Sequence, residues 1–172
     1  MILTEPSMAY DAQIQAYRAD FLAAGNPAEG SGSVLRFSRT EDWLAQVAHY
    51  SRAETTPPDR VPCTQYIYVR EDDGKIVGML QLRHYLNEML ERYSGHIGYS
   101  VCPSERCKGY ATQMLAAGLE ECRARGMSRV MLSCTPENEA SRRTILRNGG
   151  VYDSTVLEPE RGRYLERYWI TL

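Results

Sequence analysis

The segment 98–112 holds the residues whose types and spacing best suit a chemical task. It reads Gly-Tyr-Ser-Val-Cys-Pro-Ser-Glu-Arg-Cys-Lys-Gly-Tyr-Ala-Thr, and it joins a strand-like stretch to the clearest amphipathic helix pattern of the chain. Gly109 has no side chain, so the backbone there can approach a ligand closely. The free N–H groups and the dipole of a helix start favour an anion such as a pyrophosphate. Arg106 and Lys108 add two positive charges.

Two well-known phosphate-binding patterns are absent from this segment. It lacks the G-x-x-x-x-G-K-[ST] loop and the G-x-G-x-x-G fingerprint. The triplet Arg106-x-x-Gly109-x-Ala111 occurs often by chance, and a plain strand-to-helix turn also fits it. A nucleotide-phosphate site that uses the same loop remains an alternative, disfavoured because the Lys-Ser/Thr pair is missing.

Cysteine and histidine patterns give no support for metal or thiol chemistry. The five cysteines form no C-x-x-C pair, and the three histidines form no H-x-x-H pair, so no metal site is predicted. Cys102 and Cys107 flank the loop, but no histidine or aspartate stands at a spacing that would activate them as nucleophiles. We interpret both thiols as bystanders.

The elements that must position the loop follow from the hydrophobic pattern. Helices are predicted at 10–24, 40–53, 111–125 and 138–148, and strands at 64–70, 75–85, 96–101, 129–134, 151–157 and 164–171. Asp73-Gly74 is a hairpin signal, whereas the strand–helix–strand order after residue 96 predicts a right-handed parallel crossover. The expected fold is therefore α/β, with a mixed sheet of about six to seven strands and helices on both faces.

Length and composition limit the class of protein. A chain of 172 residues suits one domain. A net charge of −2 argues against a dedicated nucleic-acid binder, and no stretch is apolar for long enough to predict a membrane span or a secretory signal. We expect a cytoplasmic protein with reduced thiols. Residues 1–95 are the more acidic part of the chain, which favours a cationic partner on that side.

With these motifs in view, the sequence resembles the GNAT superfamily of N-acetyltransferases. The loop 106–111 is similar to its R/Q-x-x-G-x-G/A signature for acetyl-CoA, and the resemblance covers roughly 64–157. Further matching segments point to a bacterial subgroup of predicted acetyltransferases: Ile76-Val-Gly-Met, Leu82-Arg-His84, Leu86-Asn87, Gly95-His-Ile-Gly-Tyr99 and Asn138-Glu-Ala-Ser141 with Asn148-Gly-Gly150.

The resemblance implies one domain over 1–172, with a variable acceptor side at 1–63, an acetyl-CoA core at 64–157 and a last strand at 158–172. It implies that main-chain amides of the loop hold the pyrophosphate and that one strand pairs with the pantetheine arm. It also implies that this strand splays from 129–134 to open a slot for the cofactor, and that the next helix start binds the arm from the other side. The residues concerned are Arg106, Cys107, Lys108, Gly109, Tyr110, Ala111 and Thr112 for the pyrophosphate, Ser100, Val101 and Cys102 for the strand, and Asn138 and Ser141 for the helix start.

One position departs from the family pattern. Many members carry a tyrosine seven residues after the equivalent of Asn138, where it protonates the leaving thiolate, and this chain has Ile145 there. Tyr152 is a candidate substitute, and water or another group would be the alternative. Because a primary amine is mostly protonated at neutral pH, a base is also needed, and Glu88, His84 and His96 are the candidates.

The function expected from the resemblance is direct transfer of an acetyl group from acetyl-CoA to a primary amine of a small molecule or peptide. No metal, nucleic acid or membrane partner is expected, and a homodimer is left open. The alternative is a non-catalytic acyl-CoA-binding or regulatory module on the same fold, which the missing tyrosine would favour.

Overall fold

The computed structural model describes all 172 residues and contains seven strands and four α-helices. Several single turns connect them, including a π-helical turn at Leu90–Ser94. In chain order the elements are β1 (Ile2–Thr4), α1 (Asp11–Ala24), α2 (Thr40–Tyr50), β2 (Cys63–Val69), β3 (Ile76–Arg83), β4 (Ile97–Val101), α3 (Tyr110–Ala124), β5 (Arg129–Cys134), α4 (Glu139–Arg147), β6 (Val151–Glu158) and β7 (Arg163–Thr171).

The strands form two sheets rather than one. The first has the order β1-β2-β3-β4 and the second has the order β5-β7-β6, and every pair within them is antiparallel. The α/β class is confirmed, with helices on both faces of the first sheet. The short strand β1 was not predicted, because its three residues are too few to show an alternating pattern.

The only hydrogen-bonded junction between β4 and β5 joins the residues just before β4 to the middle of β5. His96 N donates to Met131 O at 2.8 Å, and Gly95 forms a single bridge to Leu132. A Cβ on Gly95 would lie 2.3 Å from Met131 O, so this close approach requires glycine. Beyond this point no ladder joins the two strands. Beyond this junction the two strands splay apart, as the resemblance implies, and leave a gap between β4 and β5.

Two hydrophobic clusters cover the faces of the first sheet. The alternation along β2 sends Tyr66 and Tyr68 into the cluster under α3, and Ile67 into the cluster under α1 and α2. Gly118 lets α3 lie close to β3, since a Cβ there would be 2.7 Å from a methyl group of Leu80. The larger cluster continues into α4, β5 and β7, which fixes both walls of the gap. No helix is both long enough and apolar enough to cross a membrane.

Candidate active site

The turn between β4 and α3 presents a row of unpaired main-chain amides. The first α-helical hydrogen bond is from Gln113 N to Gly109 O, at 3.2 Å. The amides of residues 107–112 have no acceptor within the protein. Unpaired amides at a helix start attract anions. The local geometry is therefore compatible with the predicted pyrophosphate site.

Two residues of this turn have left-handed backbone conformations. Gly109 has φ 82° and caps α3, and Cys107 has φ 64°. The left-handed region suits glycine but is unfavourable for cysteine. Alternating right- and left-handed residues turn successive amides toward one side and create an anion-binding concavity. The unfavourable conformation of Cys107 is thus part of the shape that turns the amides outward.

The side chains of Arg106 and Lys108, which were predicted to add positive charge to the anion site, bind other groups of the protein. Arg106 folds back and donates to Asn26 Oδ1 at 2.6 Å and to Val101 O at 3.3 Å. Lys108 donates to Glu105 at 2.8 Å. Neither side chain points freely at the amide row, because each finds a closer partner. In this arrangement the amide row alone offers free groups to an anion.

Glu105 is the centre of a charge cluster beneath the turn. Its side chain is only 6% exposed, and it accepts from Arg70 at 3.0 Å, Lys75 at 2.7 Å and Lys108 at 2.8 Å. Hydrogen bonds from Lys108 and Lys75 lower the pKa of Glu105 to about 2. Three cations against one carboxylate leave an excess of positive charge next to the amide row, although Asp73 also pairs with Arg70.

Only alternate residues of β4 have main-chain groups that face the gap, where the pantetheine arm was predicted to bind. Arg83 N donates to His96 O, and Cys102 N donates to Val77 O, so even-numbered residues of β4 bond to β3 and odd-numbered residues face the gap. Both main-chain groups of Cys102 are used, because its carbonyl accepts from Glu105 N. Ser100 and Cys102 therefore direct no free main-chain group toward the gap, whereas the main chain of the predicted residue Val101 and of Tyr99 faces it.

The start of α4 forms the other wall of the gap. Asn138 Oδ1 accepts from Ser141 N at 3.1 Å and so caps the helix. The Ser141 hydroxyl lies 2.9 Å from the Tyr99 hydroxyl, which joins α4 to β4. Burial raises the pKa of Tyr99 to about 12. Two protonated hydroxyl groups thus meet between the walls, a feature that the sequence pattern did not reveal.

The two positions considered for a catalytic tyrosine do not supply one. Ile145 is fully buried in the larger cluster, where it packs against the Gly149-Gly150 turn. Tyr152 lies on β6, which β7 separates from β5, and its hydroxyl bonds to Thr155 at 2.9 Å. Its side chain is exposed and lies away from the gap, so the structure does not bring the predicted Tyr152 to the site.

The histidine His84 is held on the far side of the sheet from α1 and α2. Its Nε2 lies 2.9 Å from the Thr64 hydroxyl, which also accepts from Arg125 at 2.9 Å. Arg125 follows the last turn of α3, at the opposite end of that helix from the amide row. Burial lowers the pKa of His84. This position places His84 on the opposite face of the sheet from the loop 28–33.

The histidine His96 is part of the junction between β4 and β5. Its Nδ1 accepts from Met131 N at 3.0 Å, so the neutral ring carries its proton on Nε2. Burial lowers the pKa of His96, which keeps the ring neutral at neutral pH. With one nitrogen occupied and the other protonated, His96 cannot accept a proton in this arrangement.

The third base candidate, Glu88, lies on the exposed turn before β4. It borders a shallow pocket with Asn87, Met89, Arg92 and Tyr93, and its carboxylate makes no hydrogen bond or ion pair. The structure thus neither fixes its orientation nor brings it to the middle of β4. No group of three histidine, cysteine, aspartate or glutamate side chains is arranged to hold a metal ion.

The loop 28–33 has a glycine- and serine-rich composition, which is typical of a mobile segment, but it forms part of the site. It is held across β4, because the Ser100 hydroxyl donates to Glu29 O at 2.6 Å and Gln65 Nε2 donates to Gly30 O at 2.9 Å. A Cβ on Gly30 would lie 2.0 Å from Gly98 O. Glu29 therefore stands beside the middle of β4, and it forms no ion pair. No local sequence pattern indicates the position of Glu29, because it depends on contacts between residues that are far apart in the chain.

A split sheet with an amide row at its mouth is the architecture of an acyl-CoA N-acyltransferase. The model of the acetyltransferase (GNAT) family matches residues 34–149. Since that match covers more than half of the chain, the protein belongs to the GNAT family. None of the curated proteins is a significant match to the sequence.

Solved structures share this fold across nearly the whole chain. The ribosomal-protein-S5-alanine acetyltransferase from Vibrio fischeri has a TM-score of 0.74 and 17% identity, covering 98% of this chain and 91% of its own. RimJ from Mycobacterium smegmatis, in complex with CoA-disulfide, has a TM-score of 0.72 and 22% identity, covering 98% and 80%. A spermidine N-acetyltransferase SpeG chimera from Vibrio cholerae and hSSAT has a TM-score of 0.68 and 13% identity, covering 99% of this chain and 96% of its own.

Proposed function

We propose that this protein is an acetyl-CoA-dependent N-acetyltransferase that transfers the acetyl group directly to a primary amine of a small molecule or peptide. The observation that carries the proposal is the row of unpaired amides at 107–112, placed at the mouth of the gap between β4 and β5. In a GNAT protein this combination suits a pyrophosphate at the helix start and an extended arm along the strand.

The groups available for the pantetheine arm lie on both walls of the gap. The main chain of Tyr99 and Val101 faces it from β4, although Val101 O already accepts from Arg106 at 3.3 Å. On the α4 side, Asn138 uses Oδ1 for the helix cap, which leaves its Nδ2 free to donate. We therefore assign the pantetheine contacts to Tyr99, Val101 and Asn138, and the pyrophosphate to residues 107–112.

The chemical step requires one proton to leave the amine and one to reach the sulfur. The amine nitrogen bonds to the acetyl carbon, the carbon–sulfur bond breaks, and the thiolate takes up a proton. We assign the donation toward sulfur to the Tyr99–Ser141 hydroxyl pair, since both groups remain protonated at neutral pH and lie between the walls. This pair would take the role that Ile145 cannot perform.

The carboxylate of Glu29 is our candidate for the group that receives the amine proton. The loop 28–33 holds its main chain 2.6 Å from the Ser100 hydroxyl, and no cation pairs with its side chain. The nearby histidines are engaged elsewhere, as described above. A carboxylate on the acceptor side also attracts a cationic amine before the proton leaves.

The test combines CoA binding with release of the free thiol. Calorimetry with CoA should show binding, and acetyl-CoA with a panel of amines should release thiol. Because relatives of this fold are named for a ribosomal protein and for spermidine, the panel should hold peptides, polyamines and amino acids. Glu29→Gln should lower kcat and leave CoA affinity unchanged, with Glu88→Gln as the control. Absence of both CoA binding and turnover would refute the proposal.

A non-catalytic acyl-CoA-binding module is the second candidate. The observation that favours it is the buried Ile145 at the position of the usual tyrosine. Tight CoA binding with no turnover across the same panel, and with no effect of Glu29→Gln on any rate, would support this candidate over the first.

A further inference from the structure

Arg83 is a partly buried guanidinium without a carboxylate partner. It lies at the end of β3, and its one hydrogen bond within the protein is from Nη1 to Gly95 O at 3.0 Å. Arg70 and Arg142 on other parts of the surface bind carboxylates at 2.6 Å and 2.8 Å, whereas Arg83 forms no ion pair. Removing a charge from water without pairing it costs free energy. A cation left in this state is suited to an external anion.

The guanidinium lies against the strand that carries the proposed acetyl site. Its Nη2 is 3.8 Å from the place where a Cβ on Gly98 would stand. The Cα of Gly30 lies 3.3 Å from the same Cβ position. Arg83 therefore borders the loop 28–33, on the face of the sheet that α1 and α2 cover. Gly30 and Gly98 are in direct backbone contact beside the guanidinium, which holds the loop 28–33 close to Arg83.

The charges around Arg83 do not neutralise it. Glu29, Cys63 and Arg60 are the titratable groups that act on it, and burial lowers its pKa. Glu29 is exposed, and Arg60 pairs with Asp59. The site thus contains a carboxylate and a guanidinium that form no ion pair in this arrangement, which is the charge pattern expected for a zwitterionic ligand.

The phosphates of CoA are too distant to be the missing anion. Arg83 pairs with His96 before β4 begins, whereas the amide row follows Val101. Five residues of strand span about 17 Å at roughly 3.3 Å each. The anion at Arg83 must therefore come from the other substrate.

We propose that the acceptor is an amine that also carries a carboxylate, and that Arg83 binds this carboxylate while the amine lies toward Glu29. The proposal rests on the proposed acetyltransferase function and specifies its substrate class. Arginine suits this task because its planar fork can donate two parallel hydrogen bonds to a carboxylate.

Matched substrates test the proposal in turnover. Amino acids and small carboxylated amines would be compared with their carboxamides, which keep the shape and remove the negative charge. We expect kcat/KM to be at least tenfold higher for the acids, mainly through KM. Arg83→Gln should abolish the preference and Arg83→Lys should restore part of it, while Arg60→Gln serves as the control for a general loss of positive charge. Aminoalkyl phosphates in place of the carboxylates would show whether the site prefers the planar anion.

A binding measurement keeps the proposal separate from the acetyltransferase activity. The CoA-loaded protein would be titrated calorimetrically with N-acetyl amino acids and with their amides. Arg83-dependent binding of the acids without any turnover would support the carboxylate site and refute the acetyltransferase function. Equal turnover and equal binding of acids and amides would support the function and overturn the carboxylate site. Lack of binding and lack of turnover would overturn both.

Discussion

At the scale of single residues, Gly109 combines two demands on one position. Its φ of 82° lies in the left-handed region, and its backbone stands in the amide row. A Cβ there would meet only Gln113 Nε2, at 3.8 Å, so backbone conformation and access of the ligand matter more than packing. A left-handed L-residue costs about 1–2 kcal/mol.

Gly109→Val should therefore lose a similar amount of stability and weaken CoA binding at least tenfold, measured by calorimetry. Gly126 supplies the matched control, because it has φ 76°, has no atom within 4 Å of its Cβ position and lies beyond the other end of α3. Gly126→Val should cost similar stability and leave CoA affinity intact. Equal CoA affinities for the two variants would mean that the amide row is not the binding site.

Glu105 provides a pH dependence that can be assigned to one residue. Its pKa is lowered to about 2 from an ordinary value of 4.5, so the folded state favours the charged form. The stabilisation is complete above pH 4.5 and is lost as the pH falls toward 2.

Replacement by Glu105→Gln should remove this contribution and leave Arg70, Lys75 and Lys108 without their shared carboxylate. Urea unfolding at neutral pH should show a clear loss of stability relative to the wild type. The difference between the two proteins should shrink below pH 4.5. A difference that is constant from pH 7 to pH 3 would contradict the role of the ion cluster.

At the scale of elements, the loop 28–33 is fixed by side chains from three neighbours. Five consecutive carbonyls accept hydrogen bonds, from Ser31, Ser100, Gln65, Trp43 and Gln46. Composition had indicated mobility, since four of its residues are glycine or serine. The contacts reverse that expectation, because each carbonyl has a specific partner.

Gly30→Ala should displace this loop from β4, since the new Cβ would overlap Gly98 O at 2.0 Å. We expect the acceptor KM to rise several-fold while CoA affinity stays within twofold. Gly25→Ala is the control, because Gly25 has φ 61° but no atom within 4 Å of its Cβ position. If both variants change the acceptor KM equally, the effect comes from backbone strain and not from contact with β4.

The elements themselves followed the hydrophobic pattern well, and the functional side chains did not. Helix α3 and strand β5 were predicted to within one residue, because α3 buries one continuous face and β5 is a run of mostly buried apolar residues. His84 and Tyr152 were placed in the site only because they stand near the right strands in sequence. The position of a residue along a strand determines which face of the sheet its side chain lies on. Whether that side chain has a free polar group depends on the neighbouring residues on the same face.

At the scale of the whole molecule, the first sheet lies between the two hydrophobic clusters and contributes side chains to both. β2 and β3 contribute side chains to both clusters. Loss of either helical layer would expose one face of the same sheet, so we expect the two layers to unfold together. The proposal of a single domain over 1–172 follows from this sharing.

The two tryptophans allow that expectation to be measured. Trp43 is fully buried beside α1, and Trp169 lies on β7 in the second sheet. The fluorescence of Trp169→Phe should report the helical layer alone, and far-UV circular dichroism should report the whole chain. Coincident urea midpoints and slopes are expected. Separate transitions would show that the two parts are independent folding units.

The sequence by itself determined the local parts of this protein. Periodicity fixed the main helices and strands, and Gly109 before the best helix fixed the anion-binding turn, because both depend on residues close together in the chain. Tertiary structure alone decided which groups are free. The engagement of His96 with Met131, the meeting of Tyr99 with Ser141, and the isolation of Arg83 beside Glu29 all join residues from different elements. Such contacts depend on register and on the splay of two sheets, which no local pattern records.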